Sequence, residues 1–397
     1  MGPSATTQDR YMEFRFTPEQ QELRTMLRDF FETEAPTDVV ARRDREEEFP
    51  RDTYDKMAEL GLCGICIDPE YGGSKLDEIS ICIVSEEIAR ASAALTYAFI
   101  PTVTFCARGI DLVGTEEQKQ AYLPEVAAGR MRIAMGLSEP EAGSDLTNLA
   151  TRAVRDGGQW VVRGQKVFTT GADTADYIFC FARTDPDVSS SKGLSVILVP
   201  REASGVTVRP LPKLAGQAVH TCEVFLDDVR VPAGNLVGAE GSGIALIFGL
   251  LDAERISVGA QGVGIAQATL DKALKYAEER VQFGKPIIDH QAVGHMLADM
   301  AIETRTARLV VYHAAWKASE GLPCSMEASM AKVVGSEAGT RNANRGMQIL
   351  GGYSYMVEYG MERYWRETKL NEIAGGTNQI QRNIIVRELR ANGLPDL

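Results

Sequence analysis

The sequence predicts an α+β protein in three parts: an N-terminal all-α domain (residues 1–131), a middle β-barrel or sandwich domain (132–240) and a C-terminal four-helix bundle (241–397). Three observations carry this. Up to about residue 130, apolar residues recur at helical spacing behind capping signals. From about residue 132 the chain turns to short β-rich runs divided by turn residues. Beyond Gly241, long periodic segments return.

The first helix opens at Thr17-Pro18-Glu19-Gln20: an N-cap hydroxyl, proline at the first helical position, then an acid near the positive end of the dipole. Leu23, Met26, Leu27, Phe30 and Phe31 follow at i, i+3, i+4, i+7 and i+8, one apolar face. Gly72-Gly73 breaks the pattern, residues 77–91 and 97–112 resume it, and Thr115-Glu116-Glu117-Gln118 caps another helix. Residues 133–137, 160–162, 177–181, 194–199 and 223–226 read as strands. Turns at Asp156-Gly157-Gly158, Asp185-Pro186-Asp187 and residues 189–193 divide them. Residues 244–279, 290–320, 325–350 and 379–391 form the bundle.

The 397 residues are 44% hydrophobic and 24% charged, an ordinary globular composition. A net charge of −13 argues against nucleic acid, which needs a basic face to neutralise phosphates. No apolar run approaches the roughly 20 residues that span a bilayer, so no membrane span is expected. Residues 1–10 are polar and read as neither a secretory nor a transit peptide. Seven scattered cysteines, an odd number, suggest a reducing compartment. Cys63-Gly64-Ile65-Cys66 lies in an apolar stretch and reads as packing rather than as a redox or metal site. The four histidines form no metal constellation, and no Rossmann or P-loop fingerprint is present.

Four motifs occur in order. They are Leu137-Ser138-Glu139-Pro140-Glu141-Ala142-Gly143-Ser144-Asp145, Gly164-Gln165-Lys166-Val167-Phe168-Thr169-Thr170-Gly171, the stretch around Glu279-Arg280-Val281-Gln282-Phe283-Gly284-Lys285-Pro286, and Gln348-Ile349-Leu350-Gly351-Gly352-Tyr353 with Ile373-Ala374-Gly375-Gly376-Thr377-Asn378-Gln379. Together they resemble the flavin-dependent acyl-CoA dehydrogenase family over residues 16–392. The resemblance implies an FAD enzyme that oxidises an acyl-CoA to the trans-2-enoyl-CoA, with an α-proton going to a base and a β-hydride to flavin N5.

It also implies that Leu137, Ser138, Phe168 and Thr170 contact the flavin ring, and that Ser144 contacts the substrate or pyrophosphate region. Most relatives carry Trp at the Phe168 position. Arg280, Phe283, Gln348, Gly352, Thr377 and Gln379 complete the cofactor set. Without that context Phe168 would read as core, Arg280 as a solvated helix charge and Gly351-Gly352 as a helix stop.

In most of the family the position of Gly375 holds the catalytic glutamate, and glycine has no side chain to take a proton. In the isovaleryl-CoA and long-chain branches the base comes from an earlier helix, directly before an arginine. Glu254, followed by Arg255, matches that position. Glu254 is therefore expected to be the base, with a raised pKa. The competing reading is a helix-surface ion pair with Arg255 or Arg280. The Gly375 backbone N–H remains able to polarise the thioester carbonyl, and Arg255 anchors the CoA side or supports the active-site helix.

Thr96, Tyr97, Phe99 and Ile100 lie where relatives shape the pocket floor, and Ala374 replaces a common aromatic. A short, branched or wide acyl group is preferred. The resemblance further implies a homotetramer that shares each FAD between subunits, an electron-transferring flavoprotein as acceptor, and a bacterial cytoplasm. Two alternatives stand beside it: an acyl-CoA oxidase or desulfinase on the same scaffold, and a catalytically silent acyl-CoA- or flavin-binding protein.

Overall fold

The computed structural model describes residues 15–188 and 192–394. Residues 1–10 and the serines of the 189–193 turn lie outside the described residues. The first part is helical, with α1 (Pro18–Glu34), α2 (Thr37–Glu46), α3 (Arg51–Glu59), α4 (Glu78–Ala91), α5 (Ala93–Phe99), α6 (Arg108–Val113) and α7 (Glu116–Ala127). At Thr17 the side-chain oxygen accepts the Gln20 N–H at 3.2 Å while Gln20 Oε1 accepts the Thr17 N–H at 3.1 Å, a reciprocal capping box. Thr115 and Gln118 repeat it on α7. Between α5 and α6 the helix widens into a π segment, Ile100–Ala107. Pro101 has no N–H to donate into the preceding turn, which removes one α-helical bond there. The stretch Ala93–Val113 is long and apolar enough to cross a membrane, and it is mostly buried inside the fold.

The middle part is one sheet of β1 (Ile133–Gly136), β2 (Arg152–Asp156), β3 (Gln159–Thr170), β4 (Tyr177–Arg183), β5 (Leu194–Pro200), β6 (Val206–Leu211), β7 (Thr221–Pro232) and β8 (Leu236–Val237). Their order is β6-β7-β3-β2-β4-β5-β8, with β1 parallel beside β4. Strands β2, β6 and β8 were not foreseen, and β3 and β7 run well beyond the expected apolar cores. β6 is an edge strand with half-exposed side chains and a proline, so it has little apolar signal. β4 and β5 read as continuous apolar runs because both faces are covered. Phe179 and Phe181 share a core with Leu246, Ile247 and Leu250 of the following helix.

The last part holds α8 (Gly243–Glu279), the short hairpin β9 (Val281–Gln282) and β10 (Lys285–Pro286), α9 (Gln291–Ser319), α10 (Ser325–Leu350), α11 (Met361–Ile373) and α12 (Asn378–Asn392). α11 is additional to the four expected helices. Its buried positions include the Arg363–Glu367 ion pair, which obscures the apolar period. α8 and α10 run side by side in the same direction. Ser325 Oγ donates to Asp252 Oδ2 at 2.6 Å. A Cβ on Gly259 would lie 2.7 Å from the Ala331 carbonyl oxygen, and one on Gly262 would lie 2.2 Å from that of Gly335. Glycine is required for this approach.

Candidate active site

Glu254 lies on the inner face of α8, 8% exposed, and makes no ion pair among the described residues. The competing surface-pair reading therefore fails. Burial pushes its carboxyl up to about 7, against the opposing pull of Arg255 and Lys332. The neighbouring acid has other work: Asp252 accepts Arg255 Nη1 at 2.8 Å and the Ser325 hydroxyl at 2.6 Å. Asp252 thus ties Arg255 and the start of α10 to α8. Arg255 is itself buried, and its Nε has no partner among the described residues.

Gly375 and Glu254 come together in space. A Cβ on Gly375 would sit 3.7 Å from Glu254 Oε1 and 3.8 Å from Val258 Cγ2. The turn is left-handed at both glycines, φ 65° and 84°, which glycine adopts without Cβ strain. Gln381 Nε2 locks it by donating to the Gly375 carbonyl at 3.0 Å and the Gly376 carbonyl at 2.9 Å. Thr377 then caps α12, its hydroxyl accepting the Ile380 N–H at 3.2 Å. Ala374 and Gln379 are exposed on either side.

The first motif is fastened to β3. Val167 N–H donates to the Ser138 carbonyl at 2.9 Å. Buried Lys166 donates to the Leu137 carbonyl at 3.2 Å and pairs with Glu139 at 2.7 Å. Glu139 also accepts the Ala150 and Thr151 N–H groups. Burial alone would raise the Glu139 carboxyl, but Lys166 and these N–H donors hold it below its ordinary value. Neither Glu139 nor Lys166 stood out in the sequence, since charged residues in a β region read as solvated. Ser144 lies exposed further along the loop.

The pairing of β3 with β7 shifts between Lys166 and Thr169. At that bulge Phe168 takes φ 57° and turns its ring outward, 67% exposed. A bulky residue at positive φ, exposed in a strand, is suited to a ligand ring rather than to the core. Thr170 Oγ1 lies 3.3 Å from Thr221 Oγ1 and lines a small crevice with Tyr97. Tyr97 packs under Gly216, and Ile100 is buried beside it in the same core. Thr96 turns its hydroxyl back to the Ala93 carbonyl at 2.5 Å.

A separate groove of 610 Å³ lies at the β9–β10 hairpin, lined by Arg280, Phe283, Gly351, Gly352 and Tyr353 among others. Phe283 and Gly284 form the two-residue turn with positive φ at both, which leaves the Phe283 ring 95% exposed. Arg280 stacks over Tyr353 at 5.5 Å and makes no ion pair among the described residues. A fixed cation facing an open groove edged with glycine fits a pyrophosphate. Exposed Gln348 lies one turn away on α10. The groove shares no lining residue with the Thr170 crevice. All seven cysteines are free and buried, and burial pushes Cys63 to about 11 and Cys66 to about 12. Among the described residues no group of side chains could hold a metal.

Comparison with known proteins gives the class. The acyl-CoA dehydrogenase N-terminal, middle and C-terminal domain families match residues 17–130, 134–229 and 241–390. The chain belongs to the acyl-CoA dehydrogenase family. Its members are FAD-dependent oxidoreductases acting on CH–CH bonds. A probable acyl-CoA dehydrogenase, YngJ, of Bacillus subtilis (strain 168) is 42% identical over 95% of this chain and 100% of its own. The butyryl-CoA dehydrogenase structure from Megasphaera elsdenii superposes with a TM-score of 0.91 at 34% identity, covering 96% of this chain and 100% of its own. A chain in a structure described as the electron transferring flavoprotein of Acidaminococcus fermentans superposes at 0.92 with 39% identity, covering 95% and 99%.

Proposed function

We propose that this protein dehydrogenates an acyl-CoA thioester to the trans-2-enoyl-CoA, with Glu254 taking the α-proton. The observation that carries this reading is the buried Glu254 carboxyl, without an ion pair among the described residues, against a residue with no side chain, Gly375. A carboxyl near 7 is matched to proton abstraction at neutral pH. The Gly375 N–H, held in a turn locked by Gln381, hydrogen-bonds the thioester carbonyl and makes the Cα–H more acidic. Bound FAD supplies the acceptor for the β-hydride.

Leu137, Ser138, Phe168 and Thr170 hold the ring side of the cofactor. Arg280, Phe283, Gln348, Gly352, Thr377 and Gln379 hold the remainder. Arg280, Phe283 and Gly352 line a groove separate from the Thr170 crevice, which supports completion of each cofactor site by a second copy in a homotetramer. Ser144, Arg255, Thr96, Tyr97, Ile100 and Ala374 shape the substrate side, and the preferred substrate is a short, branched or wide acyl chain. An electron-transferring flavoprotein is the proposed acceptor, supported by the Acidaminococcus neighbour. The bacterial cytoplasm is the proposed compartment, supported by the bacterial relative and the unpaired thiols.

The test is anaerobic titration of the flavin-loaded protein with short, branched, long and cyclic acyl-CoAs, followed by flavin absorbance, beside Glu254→Gln. One class should bleach the wild type and not the variant. Equal bleaching of both removes Glu254 as base. Rapid reoxidation by O₂ would move the assignment to an oxidase.

A further inference from the structure

α10 carries Lys332, a lysine with no exposed surface. Its ammonium donates to Asn378 Oδ1 at 2.8 Å and forms no ion pair among the described residues. Asn378 is the first residue of α12, three beyond Gly375, and its own Nδ2 donates to Ser336 Oγ at 3.1 Å. α8 and α10 run in parallel register, with Asp252 on Ser325 and Gly259 on Ala331. That register sets Lys332 opposite Gly259, a little beyond the Glu254–Val258 turn of α8, and its bond to Asn378 brings it to the glycine turn that Glu254 faces. The same turn of α8 touches Gly375. A buried cation with a single neutral partner is costly unless a charge nearby compensates it.

We infer that Lys332 is a positioning residue that acts through Glu254: its buried charge favours the carboxylate over the acid form of the base, and its bond to Asn378 fixes the glycine turn opposite. This rests on Glu254 being the base. The charged groups that act on the pair come from three helices. Arg255 lies beside Glu254 on α8, Glu372 reaches Lys332 from α11 and Glu337 from α10, and the Cys106 thiol of the π segment is within the field of Glu254. Arg255, which acts on Glu254 more strongly, is already paired with Asp252, whereas Lys332 has no ion pair among the described residues. Burial pushes Lys332 down to about 8, and Glu372, Glu254 and Glu337 oppose that.

The experiment is the pH profile of single-turnover flavin bleaching for wild type, Lys332→Met and Lys332→Gln, with Glu254→Gln alongside. Gln can still donate to Asn378 but carries no charge. Both Lys332 variants are expected to move the acid limb up by on the order of one pH unit. If Lys332→Gln keeps the wild-type limb, the charge has no role and the inference is overturned. If neither neutral variant loads flavin, Lys332→Arg decides. Loading by Arg with an unmoved limb supports the charge, and failure of all three alike assigns Lys332 to packing. Failure of the base assignment is separable: Glu254→Gln would then bleach at the wild-type rate.

Discussion

Replacing Glu254 by Gln separates the chemistry of the carboxyl from its cost to the fold. The change is nearly isosteric and replaces the carboxylate with a neutral amide that cannot take up a proton. A positioned general base contributes roughly 10²–10⁴-fold, so bleaching by the preferred acyl-CoA should slow by at least about 100-fold. In the wild type, a carboxyl at about 7 is ionised to about one-tenth at pH 6 and about nine-tenths at pH 8, so the rate should climb across that window. The same burial carries a stability penalty. Because the folded value is raised, the contribution of this group is fully present below about 4.5 and is lost as pH rises through about 7. A rise from 4.5 to about 7 corresponds to about 3 kcal/mol at 1.36 kcal/mol per pH unit. Glu254→Gln escapes that loss, so its melting temperature should gain on the wild type from pH 5 to about pH 7 and the gap should level off by pH 8, while its activity disappears. Differential scanning calorimetry and stopped-flow absorbance across that range read both. A variant that bleaches within a few-fold of wild type, or a melting-temperature gap that does not widen with pH, refutes the reasoning.

Three further outcomes are expected. Gly262→Ala should destabilise by about 1–3 kcal/mol in denaturant melts, because the new methyl would sit 2.2 Å from the Gly335 carbonyl, whereas Gly143→Ala meets nothing within 4 Å and should stay within about 0.5 kcal/mol. Lys166→Met should leave Glu139 as a buried carboxylate without its cation, costing about 3–5 kcal/mol and loosening the Leu137–Ser138 segment; thermal melts and retained flavin read the two effects. Arg280→Gln should weaken FAD reconstitution by at least about 10-fold if its unpaired guanidinium meets a pyrophosphate, measured by fluorescence titration of the flavin-free protein; unchanged affinity would place the cofactor elsewhere.

Local signals in the chain were enough for the α–β–α order, the helix caps at Thr17 and Thr115, and the long helices of the last part. Each is written in short-range chemistry: a cap, a period, a motif at fixed spacing. Tertiary structure decided the rest. α11 was not legible because its core-facing residues include Arg363 and Glu367, whose burial is possible only as a pair. Phe168 reads as core in any alternating strand, and only the bulge between β3 and β7 turns it outward. Lys166, Glu139, Lys332 and Asn378 looked like ordinary polar residues. Their roles come from partners far along the chain, and no local pattern records which distant group will meet a buried charge. The raised carboxyl of Glu254, expected from the resemblance, owes its size to tertiary burial. The sequence names the acid, but its desolvation is a property of the helices and the glycine turn packed around it.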